Sequence, residues 1–111
     1  MQRIDSGNGG ILRMDARIFK IGKQFSDSVR KDMEPDKIII YGSYVRNEQT
    51  DDSDIDIAVI FNHFHGDEWK TSSDLCRKAW QVDNRIEPVL LDMSEDKSGF
   101  CEHVIKTGIE L

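Results

Sequence analysis

The first third of the chain has apolar residues at steps of three and four positions. Between positions 12 and 33 this stripe comprises Met14, Ile18, Ile21, Phe25, Val29 and Met33. Such spacing predicts an amphipathic helix with one buried face, which Pro35 ends because proline lacks a backbone N–H and clashes with the preceding turn. The other faces carry Arg13, Arg17, Lys20, Lys23, Arg30 and Lys31. These basic residues indicate either a solvated helix face or a surface that docks a partner or steers phosphate.

The remaining apolar positions predict three short strands and two further helices. In chain order these are a strand at 38–41, a helical turn and loop at 43–53, a strand at 54–59, a helix at 66–82, a strand at 85–91 and a helix at 99–107. Pro88 favours a sheet edge for the third strand, and Gly108 is the expected C′ residue of the last helix. The order predicts one small α/β (α+β) domain, in which helices cover a short mixed sheet.

Composition narrows the class of protein. The chain has 111 residues and a net charge of −6, which allows one core and disfavours non-specific nucleic-acid binding. Its longest strongly apolar run, residues 57–61, is far shorter than the roughly 20 residues that span a bilayer. No apolar signal segment follows Met1, and the two cysteines fit neither a disulfide framework nor a metal motif. We expect a cytoplasmic protein with free thiols, in which a flexible lead-in at 1–10 precedes a domain at 11–111.

The most informative segment runs from position 41 to position 57. Gly42 and Ser43 end an apolar strand and open a polar turn, where exposed backbone N–H groups favour phosphate oxygens. Asp54 and Asp56 are two residues apart on a predicted strand, so both carboxylates lie on the same face. Glu87 lies at the equivalent depth of another predicted strand and can bring a third carboxylate to the same place. Such a cluster of like charges needs a cation or a shared proton.

Three carboxylates beside a phosphate-binding turn suit metal-assisted phosphoryl or nucleotidyl transfer. In such a reaction two Mg²⁺ ions, or Mn²⁺ in their place, bridge the carboxylates and a triphosphate.

His63 and His65 offer a weaker metal hypothesis. We favour solvated loop residues, because no further His or Cys lies at ligand spacing. Trp69 and Trp80 are interpreted as core or interface aromatics rather than base-stacking platforms, and Trp69 is placed on the inner side of its helix.

At these residues the chain resembles the DNA polymerase beta-like nucleotidyltransferase superfamily. The signature is a hydrophobic residue, Gly, and Ser or Gly, then about ten variable residues, then Asp-hydrophobic-Asp/Glu-hydrophobic. Positions 41–43 and 54–57 are similar to it throughout. Arg46 and Ser53 also match residues that the smaller bacterial members add, whereas Asn47 stands where those members have Gly.

The resemblance implies a fold and a role for each matching residue. The fold is the polymerase beta-like nucleotidyltransferase fold. The catalytic and metal-binding residues are Asp54, Asp56 and Glu87, and the nucleotide-binding residues are Gly42, Ser43 and Arg46. Aspartate is commoner than glutamate at the third acidic position of this family, so Glu87 departs from the usual pattern.

The resemblance also implies an activity, the transfer of a nucleoside monophosphate from an NTP, here expected to be ATP, to a hydroxyl group. Residues 108–111 are similar to the ending of the minimal nucleotidyltransferases, some of which are antitoxins that adenylylate a tyrosine of a HEPN-type ribonuclease toxin. We therefore expect a HEPN-type helical partner or self-association, and no membrane. Two alternatives remain open: a small-molecule nucleotidyltransferase of the aminoglycoside-modifying type, and a non-catalytic antitoxin that acts by binding alone.

Overall fold

The computed structural model describes residues 15–46 and 53–111. The lead-in predicted at 1–10, the start of the first helix at 12–14, the side chain of Arg46 and the loop at 47–52 lie outside the described residues. The elements are α1 (Ala16–Asp32), β1 (Lys37–Tyr41), α2 (Ser43–Arg46), β2 (Ile55–Phe61), α3 (Glu68–Val82), β3 (Ile86–Asp92), a 3₁₀ turn (Met93–Glu95), α4 (Phe100–Thr107) and β4 (Ile109–Glu110). None of the helices in these ranges is long and apolar enough to cross a membrane.

The predicted apolar stripe of the first helix is confirmed. Asp15 caps α1, because its carboxylate accepts a hydrogen bond from the backbone N–H of Arg17. Ile18, Phe25 and Val29 are buried on the face that packs against the sheet. The helix ends at Asp32, shortly before Pro35.

The strands form one mixed sheet in the order β3-β2-β1-β4. β1 pairs antiparallel with β2 and with β4, whereas β2 and β3 are parallel and are joined by α3. Pro88 lies on β3, which is at the edge of the described sheet, as its missing N–H predicts. β4 has two residues and was not predicted, since a strand of that length is too short to show a period.

Two apolar clusters cover the two faces of the sheet. On one face, Ile40 and Ile57 pack with α1 and α3; on the other, Ala58 and Ile60 pack with Val104 of α4. Because strand residues alternate between faces, Asp56 shares the face of Ala58 and Ile60. The second residues of β2 and β3, Asp56 and Glu87, therefore present their carboxylates on the α4 side of the sheet.

The predicted inner position of Trp69 is wrong. Its side chain is 86% exposed, and that of Trp80 is 68% exposed, so neither is a core residue. Leu75, Lys78 and Ala79 form the buried face of α3, and the two tryptophans lie on the opposite face of the helix. The buried face of this helix is therefore set by its smaller apolar residues and the stem of Lys78, not by its tryptophans.

Candidate active site

The three predicted carboxylates come together where β2 and β3 begin. Asp54 directly precedes β2, while Asp56 and Glu87 are the second residues of β2 and β3. Asp56 and Glu87 are register partners in the parallel pair, which confirms that they lie at the same depth. The Asp54 and Glu87 carboxyl groups lie close enough to interact directly. Residues far apart in the chain thus meet on one face of the sheet.

Mutual repulsion dominates the electrostatics of this cluster. The pKa of Glu87 is raised, first by the negative charge of Asp54, then by the hydrogen bond with Asp54, by desolvation, and by the charge of Asp56. Glu87 is exposed, so like charges rather than burial account for most of the rise. A proton shared between two carboxylates relieves this repulsion, and a divalent cation would relieve it in the same way.

The donor set fits a hard divalent cation, since carboxylate oxygens are the ligands that Mg²⁺ prefers. In the part of the chain that the structure describes, no three His, Cys, Asp or Glu side chains already converge closely enough to hold a metal. The missing side chain at Gly42 leaves Asp56 Oδ2 uncovered on this side, because an added Cβ would lie only 2.5 Å from that oxygen. The residues present therefore fit a divalent ion if the carboxylates draw closer around it.

The turn after β1 lies directly against this cluster. Gly42 has a φ of +85°, in the left-handed region that favours glycine, and α2 begins at Ser43. The Gly42 carbonyl accepts a hydrogen bond from the Val45 N–H at 3.1 Å, which closes the turn. A side chain at position 42 would therefore strain the backbone and would also clash with the Asp56 carboxylate. The backbone of Arg46 ends α2, and its side chain lies outside the described residues.

Tyr44 holds the segments of the site together, a role that the motif did not reveal. Its ring is buried in the core, and its hydroxyl donates to the Ser53 carbonyl at 3.4 Å, directly before Asp54. Arg85, two residues before Glu87, also lies close enough to Tyr44 for the two side chains to interact. A large aromatic residue inside an otherwise polar segment was the available signal.

Two residues of α4 also reach the site and were missed. Phe100 and His103 line a cavity of about 370 Å³ together with Tyr41, Gly42 and Asp56. The Tyr41 and Phe100 rings meet edge to face, with centroids 5.7 Å apart. Burial raises the pKa of Tyr41 most, followed by the charges of Asp56 and Glu87, which keeps its hydroxyl neutral. The only sequence signal was the spacing of three residues between Phe100 and His103, which puts both side chains on one face of the last predicted helix.

The histidine hypothesis gains no support. His63 and His65 are exposed, and their rings stack with centroids 6.2 Å apart. No third metal-ligating side chain joins them among residues 15–46 and 53–111. The interpretation as solvated loop residues agrees with this arrangement.

Glu87→Gln is expected to raise the melting temperature of the metal-free chain slightly at neutral pH. A folded-state pKa that is raised favours folding below the unfolded pKa, and this contribution is lost as pH rises through the folded pKa. The variant should therefore exceed the native chain in thermal denaturation at about pH 7 and not at about pH 3. Glu110→Gln, at an ion pair of 3.5 Å with Lys37, should give no such rise. Equal behaviour of the two variants would contradict repulsion at Glu87.

Comparison with known proteins places this chain in a family. The sequence model of the family "Polymerase beta, Nucleotidyltransferase" matches residues 23–111. The fold is similar to the crystal structure of a candidate nucleotidyltransferase from Sulfolobus solfataricus, with a TM-score of 0.65 and 21% identity over 96% of this chain and 89% of that one. No protein of curated function is significantly similar to the chain. The match covers most of the sequence, including the Gly42 turn and all three carboxylates, and the chain belongs to the polymerase beta nucleotidyltransferase family.

Proposed function

We propose that the chain transfers a nucleoside monophosphate from an NTP to a hydroxyl acceptor in a reaction that depends on a divalent metal. The NTP we propose is ATP, so the group transferred is AMP. The observation that carries this proposal is the meeting of Asp54, Asp56 and Glu87 beside the Gly42 turn. Family membership supports the reaction class, and the repulsion among the carboxylates supports a cation at their centre.

The order of the strands supports an assignment of the two substrates. Displacement at phosphorus places the attacking oxygen and the leaving oxygen on opposite sides. β2 carries Asp56 in the middle, β1 leads to Gly42 on one side, and β3 carries Glu87 on the other. The triphosphate then lies on the side of Gly42 and Ser43, where Arg46 also belongs, and the acceptor lies on the side of Glu87.

Each carboxylate has a role in this arrangement. Asp54, Asp56 and Glu87 would hold Mg²⁺, which supplies charge neutralisation for the triphosphate and lowers the pKa of the acceptor hydroxyl. The acceptor oxygen forms a bond to the α-phosphorus as the bond to the pyrophosphate oxygen breaks. Glu87, on the side of the acceptor, takes the hydroxyl proton, a task that a carboxylate within reach of the acceptor oxygen can perform. Pyrophosphate is the second product.

For the acceptor we propose a tyrosine of a helical partner protein of the HEPN type, with this chain as the antitoxin. The support is the similarity of residues 108–111 to minimal nucleotidyltransferases and the exposed outer face of α3. Trp69 and Trp80 present unusually large apolar surfaces there, which suit a protein partner or a second copy of the chain. The basic face of α1 remains a second candidate docking surface.

The experiment is an incubation of the purified chain with Mg²⁺ and ATP labelled at the α-phosphate, alone and with each candidate acceptor. Label on a partner tyrosine supports the proposal as stated, and label on an aminoglycoside supports the small-molecule alternative. If Asp56→Asn still neutralises a toxin partner, the chain acts by binding alone. Absence of any Mg²⁺-dependent interaction with NTPs contradicts nucleotidyl transfer.

A further inference from the structure

A cavity of about 370 Å³ adjoins Asp56 on its β1 side. Tyr41 and Val45 form one wall, and Phe100 and His103 of α4 form the other. The volume lies within the roughly 300–1,000 Å³ that small-molecule sites occupy. It is continuous with the Gly42 turn, so a ligand in it can also reach the carboxylate cluster.

The walls of the cavity suit a flat aromatic ring. Tyr41 and Phe100 meet with an interplanar angle of 81°, and such a contact leaves three of the four ring faces uncovered by the pair itself. Phe100 remains 41% exposed, which is unusual for a phenylalanine in a small domain. Its position is fixed because it is the first residue of α4, after Gly99 with a φ of +77°. An exposed ring at the mouth of a cavity is a stacking surface.

The polar groups of the cavity suit an uncharged ring edge rather than a phosphate. Thr107 Oγ1 donates to the His103 carbonyl at 2.8 Å, so its oxygen lone pairs can still accept a hydrogen bond. Asp56 supplies negative charge at one end, and no Lys or Arg is among the described residues that line the cavity. A phosphate would be repelled there, whereas a ring bearing N–H and N: groups would be bound.

We propose that the cavity between Tyr41, Phe100 and His103 binds the nucleobase of the NTP. This inference rests on the proposed function, because it requires the triphosphate to lie over Gly42 and Asp56. The cavity is on the β1 side of Asp56, which is the side of the triphosphate. An acceptor tyrosine would come from the Glu87 side, so its ring does not belong in this cavity.

Phe100→Ala is expected to weaken binding of Mg·ATP roughly tenfold, the effect of losing one base–aromatic stack. Binding of Mg·tripolyphosphate, which has phosphates and no base, should be unchanged. Phe100→Tyr keeps the ring and should bind ATP like the native chain. His65→Ala removes an exposed ring from the loop between β2 and α3 and is the matched control. Titration calorimetry gives the affinities, and circular dichroism checks the fold.

The outcomes separate this inference from the function on which it rests. Unchanged ATP affinity in Phe100→Ala overturns the nucleobase site, and so does an equal loss for ATP and tripolyphosphate. Weaker use of the acceptor with unchanged ATP affinity would assign the cavity to the acceptor and overturn the inference as well. A native chain that binds tripolyphosphate with Mg²⁺ and ATP no better keeps the proposed function but refutes the nucleobase site. A native chain that binds neither overturns the proposed function itself.

Discussion

Asp56→Asn is expected to lower the affinity for Mg·ATP by roughly a hundredfold or more, since a metal-bridging carboxylate contributes several kcal/mol. The amide has the same shape but lacks the negative charge. Asp56 is central because it is the register partner of Tyr41 on one side and of Glu87 on the other. No other residue of the cluster touches both the cavity and the β2–β3 pair.

Asp54→Asn should produce a loss of the same kind, together with a fall in the pKa of Glu87, because Asp54 is the main cause of its rise. Asp27→Asn, at an exposed position of α1, should leave binding unchanged and serves as the control. Affinity for Mg·ATP is measured by calorimetry across a range of Mg²⁺ concentrations. Undiminished metal-dependent binding in both Asp54→Asn and Asp56→Asn would remove these carboxylates from the metal site.

Gly108→Ala is expected to destabilise the fold by about 3 kcal/mol or more, an overpacking effect at the upper end of its usual range. An added Cβ would lie 2.6 Å from the Ile40 carbonyl oxygen and 2.8 Å from the Val104 carbonyl oxygen, and would also overlap the Ile39 side chain. Since two of these neighbours are backbone, relief requires α4 to move away from β1.

Gly99→Ala is the matched control for this effect. Gly99 has a φ of +77° and nothing within 4 Å of an added Cβ, so only left-handed backbone strain of about 1 kcal/mol is expected. Denaturant unfolding of both variants gives the comparison. If Gly108→Ala costs no more than Gly99→Ala, close packing of α4 against β1 is not what requires glycine at position 108.

Local pattern was enough to predict most of the fold. β-branched runs and the acidic alternation at 54–59 located β1 and β2, and Pro88 placed β3 at an edge. Gly108 was correctly expected at the end of α4, but for the wrong reason: its φ is −87°, and the requirement is space rather than a left-handed turn. Contacts with distant residues, here Ile39 and Ile40, are invisible to a local pattern.

The same limit applies to the site. The spacing of Gly42, Asp54 and Asp56 predicted the candidate site, and the strand register places Glu87 beside Asp56. Phe100 could not be assigned, because its approach to Tyr41 depends on how α4 crosses the sheet. The exposure of Trp69 was likewise fixed by the packing of α3 and not by its own hydrophobicity.

The parallel pairing of β2 and β3 has a consequence for the cohesion of the molecule. Between Asp56 on β2 and Glu87 on β3 the chain makes a crossover that contains α3. Among the described strands, β3 pairs with β2 alone. An edge strand of this kind is where local opening begins most readily. Any ligand that bridges Asp56 and Glu87 is bound by the closed form alone, so its binding energy opposes that opening. Occupancy of the site would then stabilise the pairing of β3 with β2, and slower amide hydrogen exchange along β3 would report it.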